Sequence, residues 1–166
     1  MGKKLIAGLI VASLAVPATA SAATKVYAGT TDGSGQLAMD VVVNRKGKLK
    51  GITEIRGQNV PVNCDQSGAQ SVYFTFPTST KINSKRKFSA EWTQPTYGNK
   101  SWIRGRFAPK KVVNGTFHFD QHFQAEGNYP EENCSSSDLA YRLERGAPDV
   151  VPSPFKVAGG GLAAGR

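Results

Sequence analysis

The chain has 166 residues, with 21 lysines and arginines against 12 aspartates and glutamates, for a net charge of +9. That length suits one domain with its own core. The basic balance predicts weak attraction to anionic surfaces, namely cell-wall polymers, lipid headgroups and nucleic acid, with no specific nucleic-acid partner, while its spread along the chain, with no single basic block, also fits charge that only prevents self-association.

The first 22 residues read as a secretory signal. Lys3 and Lys4 form a positive start, Leu5 to Val16 is an apolar run, Pro17 breaks it, and Ala20-Ser21-Ala22 offers an A-x-A cleavage site. The apolar run is too short to span a bilayer well, so no transmembrane anchor is expected after cleavage near Ala22. Removing Lys3 and Lys4 takes the net charge from +9 to +7 on the exported, extracellular chain. Residues 23–148 form the expected domain. Residues 149–166, rich in proline, glycine and small side chains, read as a flexible tail.

Within the domain, alternation and turn residues dominate, and helical periodicity is absent. Lys25–Thr31 is a first strand, followed by a turn at Asp32–Gly35. Leu37, Met39, Val41 and Val43 alternate along Gln36–Arg45, and Lys46-Gly47 turns the chain into Leu49–Ile55. Gly57–Gly68, containing Pro61 and Cys64, reads as loop. Ser71–Phe76, Lys87–Thr93, Ser101–Phe107, Val112–Ala125 and Asp138–Arg145 complete the set. About eight or nine strands at roughly ten-residue spacing predict an all-β fold, an antiparallel, jelly-roll-like β-sandwich.

One pairing can be drawn from the sequence. Ile103–Phe107 and Val113–Phe117 share an apolar-x-Gly-x-Phe pattern around Pro109-Lys110-Lys111. A hairpin there sets Phe107 opposite Val113, Gly105 opposite Gly115 and Ile103 opposite Phe117. Inward glycines leave room for a bulky neighbour, with Trp92 as candidate occupant. These residues carry a resemblance. "IRGRF", "VNGTF", "FQAEG", Cys134 and "LAYRLERG" resemble a group of uncharacterised secreted β-sandwich proteins of actinobacterial type. The resemblance covers most of residues 25–146. It implies fold and location, and no activity.

The two cysteines, Cys64 and Cys134, lack metal-binding C-x-x-C spacing. In an exported chain they are expected to pair. A bridge closing a loop of about 70 residues contributes roughly 4 kcal/mol in the chain-entropy account.

Three sets of residues are candidates for chemistry. His118, Asp120 and His122 share the outer face of one strand, which is favourable for a metal. On a straight strand, however, residues four apart are about 13 Å apart, so both histidines reach one ion only across a bulge. No G-x-S-x-G elbow marks a nucleophile, no catalytic residue is assigned, and no cofactor is expected. Trp102 and Tyr97, with Arg104, suit sugar stacking and hydrogen bonding. The clusters Arg45-Lys46-Gly47-Lys48, Lys85-Arg86-Lys87 and Lys110-Lys111 all sit at strand ends. They form a polyanion patch if those ends share a pole, and otherwise protect edges. The leading expectation is a non-catalytic extracellular protein that binds cell-wall or environmental polysaccharide. A metal-dependent enzyme at His118 and Asp120, and a structural envelope protein without a discrete ligand, are the alternatives. The sequence carries no signal for oligomeric state.

Overall fold

The computed structural model describes residues 22–128 and 130–147. The expected signal, apart from Ala22, and the expected tail lie outside the described residues. The described residues form ten strands: β1 Ala23–Thr31, β2 Gln36–Val43, β3 Leu49–Cys64, β4 Gly68–Lys81, β5 Lys87–Gln94, β6 Asn99–Ala108, β7 Val112–His118, β8 Asp120–Phe123, β9 Glu132–Ser135 and β10 Leu139–Arg145. A short 3-10 turn at Pro109–Lys111 joins β6 to β7.

All pairings are antiparallel, so the all-β architecture follows the alternation in the sequence. The strands share one continuous ladder, ordered β5-β6-β7-β10-β1-β2-β3-β9-β8, with β4 on the other edge of β3. Among the described residues the strands form one open sheet, with no ladder between β4 and β5. Its β4 and β5 ends meet where Trp92 stacks on Phe76, with ring centroids 4.5 Å apart. There the Trp92 indole N–H also donates to the Pro77 carbonyl at 2.9 Å.

The inward set along each strand builds one core. Leu37, Met39 and Val41 are fully buried, as are Ile103, Val113, Phe117, Phe119 and Leu143. Each contributes about 1.5–3 kcal/mol by leaving water, except the larger rings, which bury more. Phe74 sits at the centre, stacked on Phe76 and Phe117. The disulfide forms between Cys64 and Cys134, which are direct partners where β3 meets β9.

The predicted hairpin has the expected register: Phe107 opposite Val113, Gly105 opposite Gly115, Ile103 opposite Phe117. The occupant differs. A Cβ on either glycine would overlap the Tyr141 hydroxyl, and one on Gly105 would also overlap Phe88. Trp92 lies elsewhere, on Phe76. Tyr141 fills the space because β10 is the neighbour of β7, an order that no local pattern encodes.

Two stretches depart from expectation. Gly57–Gly68 is not a loop: β3 continues to Cys64 and turns back into β4 at Gly68. Gly57 is needed there because a Cβ would overlap the Phe74 ring. Asn59 takes a left-handed φ of 53° at a bulge between Gly57 and Val60. Pro61 lies opposite Ser71 of β4, and on the other edge of β3 it falls between the β2 and β9 segments, so its missing N–H leaves no gap in those two ladders. Bulge chemistry thus imitates loop chemistry. Second, Val112–Ala125 is not one strand. The chain bends at Phe119, whose N–H and carbonyl both bond to Ser136, at 2.8 Å each. Beyond it β8 leaves the β6 ladder and pairs with β9.

Candidate functional site

His118 and Asp120 are partly exposed while His122 is buried, and each of the three is held by different neighbours. His118 Nδ1 lies 3.1 Å from Asp138 Oδ1. Asp120 accepts from the Asn99 side chain at 2.6 Å and from the Lys100 amide at 3.2 Å. The buried Ser101 hydroxyl accepts from the Asp120 N–H and donates to its carbonyl, replacing the lost ladder with a side chain. His122 is buried at 9 % exposure, and the Gln94 side chain bonds both its backbone groups.

Both nitrogens of His122 face acceptors. Nε2 is 2.9 Å from Glu131 Oε1 and Nδ1 is 3.1 Å from Asn133 Oδ1. Asn133 is oriented by its amide nitrogen, which donates to Asp65. Bonds from the Asn133 side chain and backbone hold the Asp65 carboxyl below the usual carboxylate range. Among the described residues, the one threesome of metal-ligating atoms that converges is Cys64, Glu132 and Cys134, and its two sulfurs are joined in the disulfide. The bend at Phe119 therefore ties each histidine to a separate carboxylate. Among the described residues, neither imidazole is hydrogen-bonded to a hydroxyl or thiol.

The expected sugar-binding aromatics split into two stacks. Tyr97 lies on His122, with ring centroids 3.6 Å apart. Trp102 lies beside His118 at 5.8 Å, nearly parallel, and the Arg104 guanidinium sits 4.6 Å over the Trp102 ring. Trp102 and Arg104 are brought together, while Tyr97 belongs to the β5–β6 turn and the His122 cluster.

The basic turns do converge. In the antiparallel sheet, the connections 44–48, 82–86 and 109–111 all emerge at one end. They carry Arg45, Lys46, Lys48, Lys85, Arg86, Lys110 and Lys111, and no acid. Lys25 and Arg145 add to the same end from β1 and β10. Tyr27 marks the convergence from within. Burial raises its hydroxyl pKa, while Arg145 and Arg86 draw it down from separate segments. The opposite end carries Asp32, Asp65, Glu126, Glu131 and Asp138 in its connections, and, among the described residues, no lysine or arginine.

Two of the basic turns are built alike. Asn44–Lys48 and Asn83–Lys87 each open on an asparagine whose N–H donates to the carbonyl four residues on, at 2.9 and 3.0 Å. The fourth residue's N–H returns to the asparagine carbonyl, at 2.8 and 2.9 Å. The asparagine Oδ1 then accepts from the Lys48 and Lys87 amides at 2.8 and 2.9 Å. The fourth position is left-handed in both: Gly47 at φ 72° and Arg86 at φ 62°. Lys110 and Lys111 in the third turn are also left-handed, at 60° and 61°. Such a conformation costs a non-glycine residue about 1–2 kcal/mol, and strain of this kind gathers at functional positions.

The acids and cations differ in what they do. Asp65, Glu131, Asp138 and Glu132 are engaged by Asn133, His122, His118 and Ser67 respectively. Among the described residues, Lys85, Lys87, Arg106, Lys110 and Lys111 are paired with no acid. The chain thus presents its cations outward and uses much of its anionic charge internally. The turns were visible in the sequence. The asparagine pins, and the contribution of Arg106 and Arg145, were not, because they depend on strand order.

No protein-family model matches the chain, and no curated protein or solved structure is significantly similar to it.

Proposed function

We propose that the chain is a secreted, non-catalytic extracellular protein that binds anionic polymers of a cell surface or its surroundings through this basic pole. The observation carrying the proposal is the segregation of charge: three turns at one end hold seven cations and no acid. The left-handed Arg86, Lys110 and Lys111 support it, since positive charge stands where the backbone favours glycine. Export is supported by the signal-like first 22 residues and by the disulfide, which suits an oxidising compartment.

Binding of this kind is largely electrostatic and therefore weakens with salt. The test is retention on immobilised anionic polymers, with neutral glucan as control, across a salt gradient. The protein should be held by the anionic supports and elute early when Lys85, Arg86, Lys110 and Lys111 are changed to glutamine. Equal retention on neutral glucan, or elution unchanged by the four substitutions, would defeat the proposal.

A further inference from the structure

The basic surface continues from the turns onto the outer face of β5, β6 and β7. Two cross-strand rows point outward there: Lys87, Arg106 and Asn114 in one, Ser89, Arg104 and Thr116 in the other. Between them lies an open depression of about 610 Å³. The paired backbones of Gly105 and Gly115 line it. That floor is fixed from the core side, where the Tyr141 hydroxyl donates to the Arg104 carbonyl at 3.1 Å.

The charges around the depression are unbalanced. Lys87 stands directly opposite Arg106, and like charges so placed destabilise a sheet. No acid lines the depression. Two acids borne by the adjoining strands already have cations: Glu91 pairs with Lys100 at 2.8 Å and Glu144 with Arg142 at 2.9 Å. Arg104 is held in place over Trp102, so its guanidinium loses less freedom on meeting a ligand. Arginine forks bind an oxoanion through paired N–H groups, lysine adds a point charge, and the Ser89, Thr116 and Asn114 side chains supply neutral donors. A phosphate or sulfate ester, with three terminal oxygens against the two of a carboxylate, can use more of these donors.

We propose that the depression binds a phosphate or sulfate ester group carried by the anionic polymer. It would give the chain a preference for phosphorylated or sulfated polymers over carboxylated ones. The proposal rests on the polyanion reading, and the experiment separates the two. Affinities for dextran sulfate, dextran phosphate and polygalacturonate are measured by titration calorimetry at one salt concentration. The proteins are the wild type, Arg104→Gln/Arg106→Gln, and the milder surface variant Lys87→Gln. The wild type should favour the ester polymers about tenfold or more. The double variant should lose that preference while its affinity for polygalacturonate falls only about threefold. Lys87→Gln should reduce the preference in part, and thermal melts confirm that each variant is folded. No preference in the wild type, or an undiminished one in the folded variants, overturns the depression as the site and leaves the basic pole standing. Failure of all three polymers to bind the wild type overturns both readings.

Discussion

The turns Asn44–Lys48 and Asn83–Lys87 share one backbone design and differ at one telling position. Their main-chain hydrogen bonds match, and each is pinned by its asparagine. In the first, the left-handed residue is Gly47, and a Cβ there would meet nothing within 4 Å. In the second it is Arg86, which donates to the Ala108 carbonyl of the next hairpin at 3.2 Å. Backbone geometry alone selects glycine at such a position. An arginine there gives up about 1 kcal/mol and places a cation between two other basic turns. The comparison separates what the fold needs from what the surface carries.

The largest expected effect on this comparison comes from removing the pins. The Asn44 side chain accepts from both the Lys46 and Lys48 amides, at 3.0 and 2.8 Å, whereas Asn83 accepts from Lys87 alone. At about 1 kcal/mol net per bond, Asn44→Ala should cost about 2 kcal/mol and Asn83→Ala about 1. Denaturant unfolding with an unchanged m-value measures both, and equal losses would argue against the difference in pinning. Next come the exchanges at the left-handed position. Arg86→Gly should stabilise the protein by about 1 kcal/mol and weaken polyanion binding, while Gly47→Arg should destabilise it by a similar amount. A stabilised Arg86→Gly protein that binds as before would remove the functional reading of the strain.

The smallest effect concerns the opposite pole, and its sign follows from Asp65. Its carboxyl is held below the usual range by Asn133, so the folded pKa lies below the unfolded one. The bond therefore contributes stability above the unfolded value, and that contribution is lost as pH falls through the folded value. Asp65→Asn should flatten the acid limb of a stability profile and leave polyanion binding at neutral pH unchanged. An acid limb identical to wild type would show that another carboxylate controls it.

Much of this was readable from the sequence, for identifiable reasons. The β6–β7 hairpin could be drawn residue by residue because Phe107, Val113, Ile103 and Phe117 alternate around paired glycines. The alternation of His118 and His122 with the phenylalanines of the same stretch was legible for the same reason. Their separation onto Asp138 and Glu131 was not, because those partners come from segments without periodicity and the chain bends at Phe119. The middle of β3 was hidden because Gly57, Asn59 and Pro61 serve a bulge and a close ring contact inside a strand. The basic turns were visible one at a time. Their common pole needed the strand order, which places 44–48, 82–86 and 109–111 together.

The most direct test of the basic pole is the salt dependence of affinity for one soluble polyanion. Each neutralised anionic group releases condensed counterions, so the slope of log affinity against log salt reports how many cations engage. Wild type should show a steep slope, and changing Lys85, Arg86, Lys110 and Lys111 to glutamine should lower it by about two to four units. A slope the same in both proteins would contradict the account.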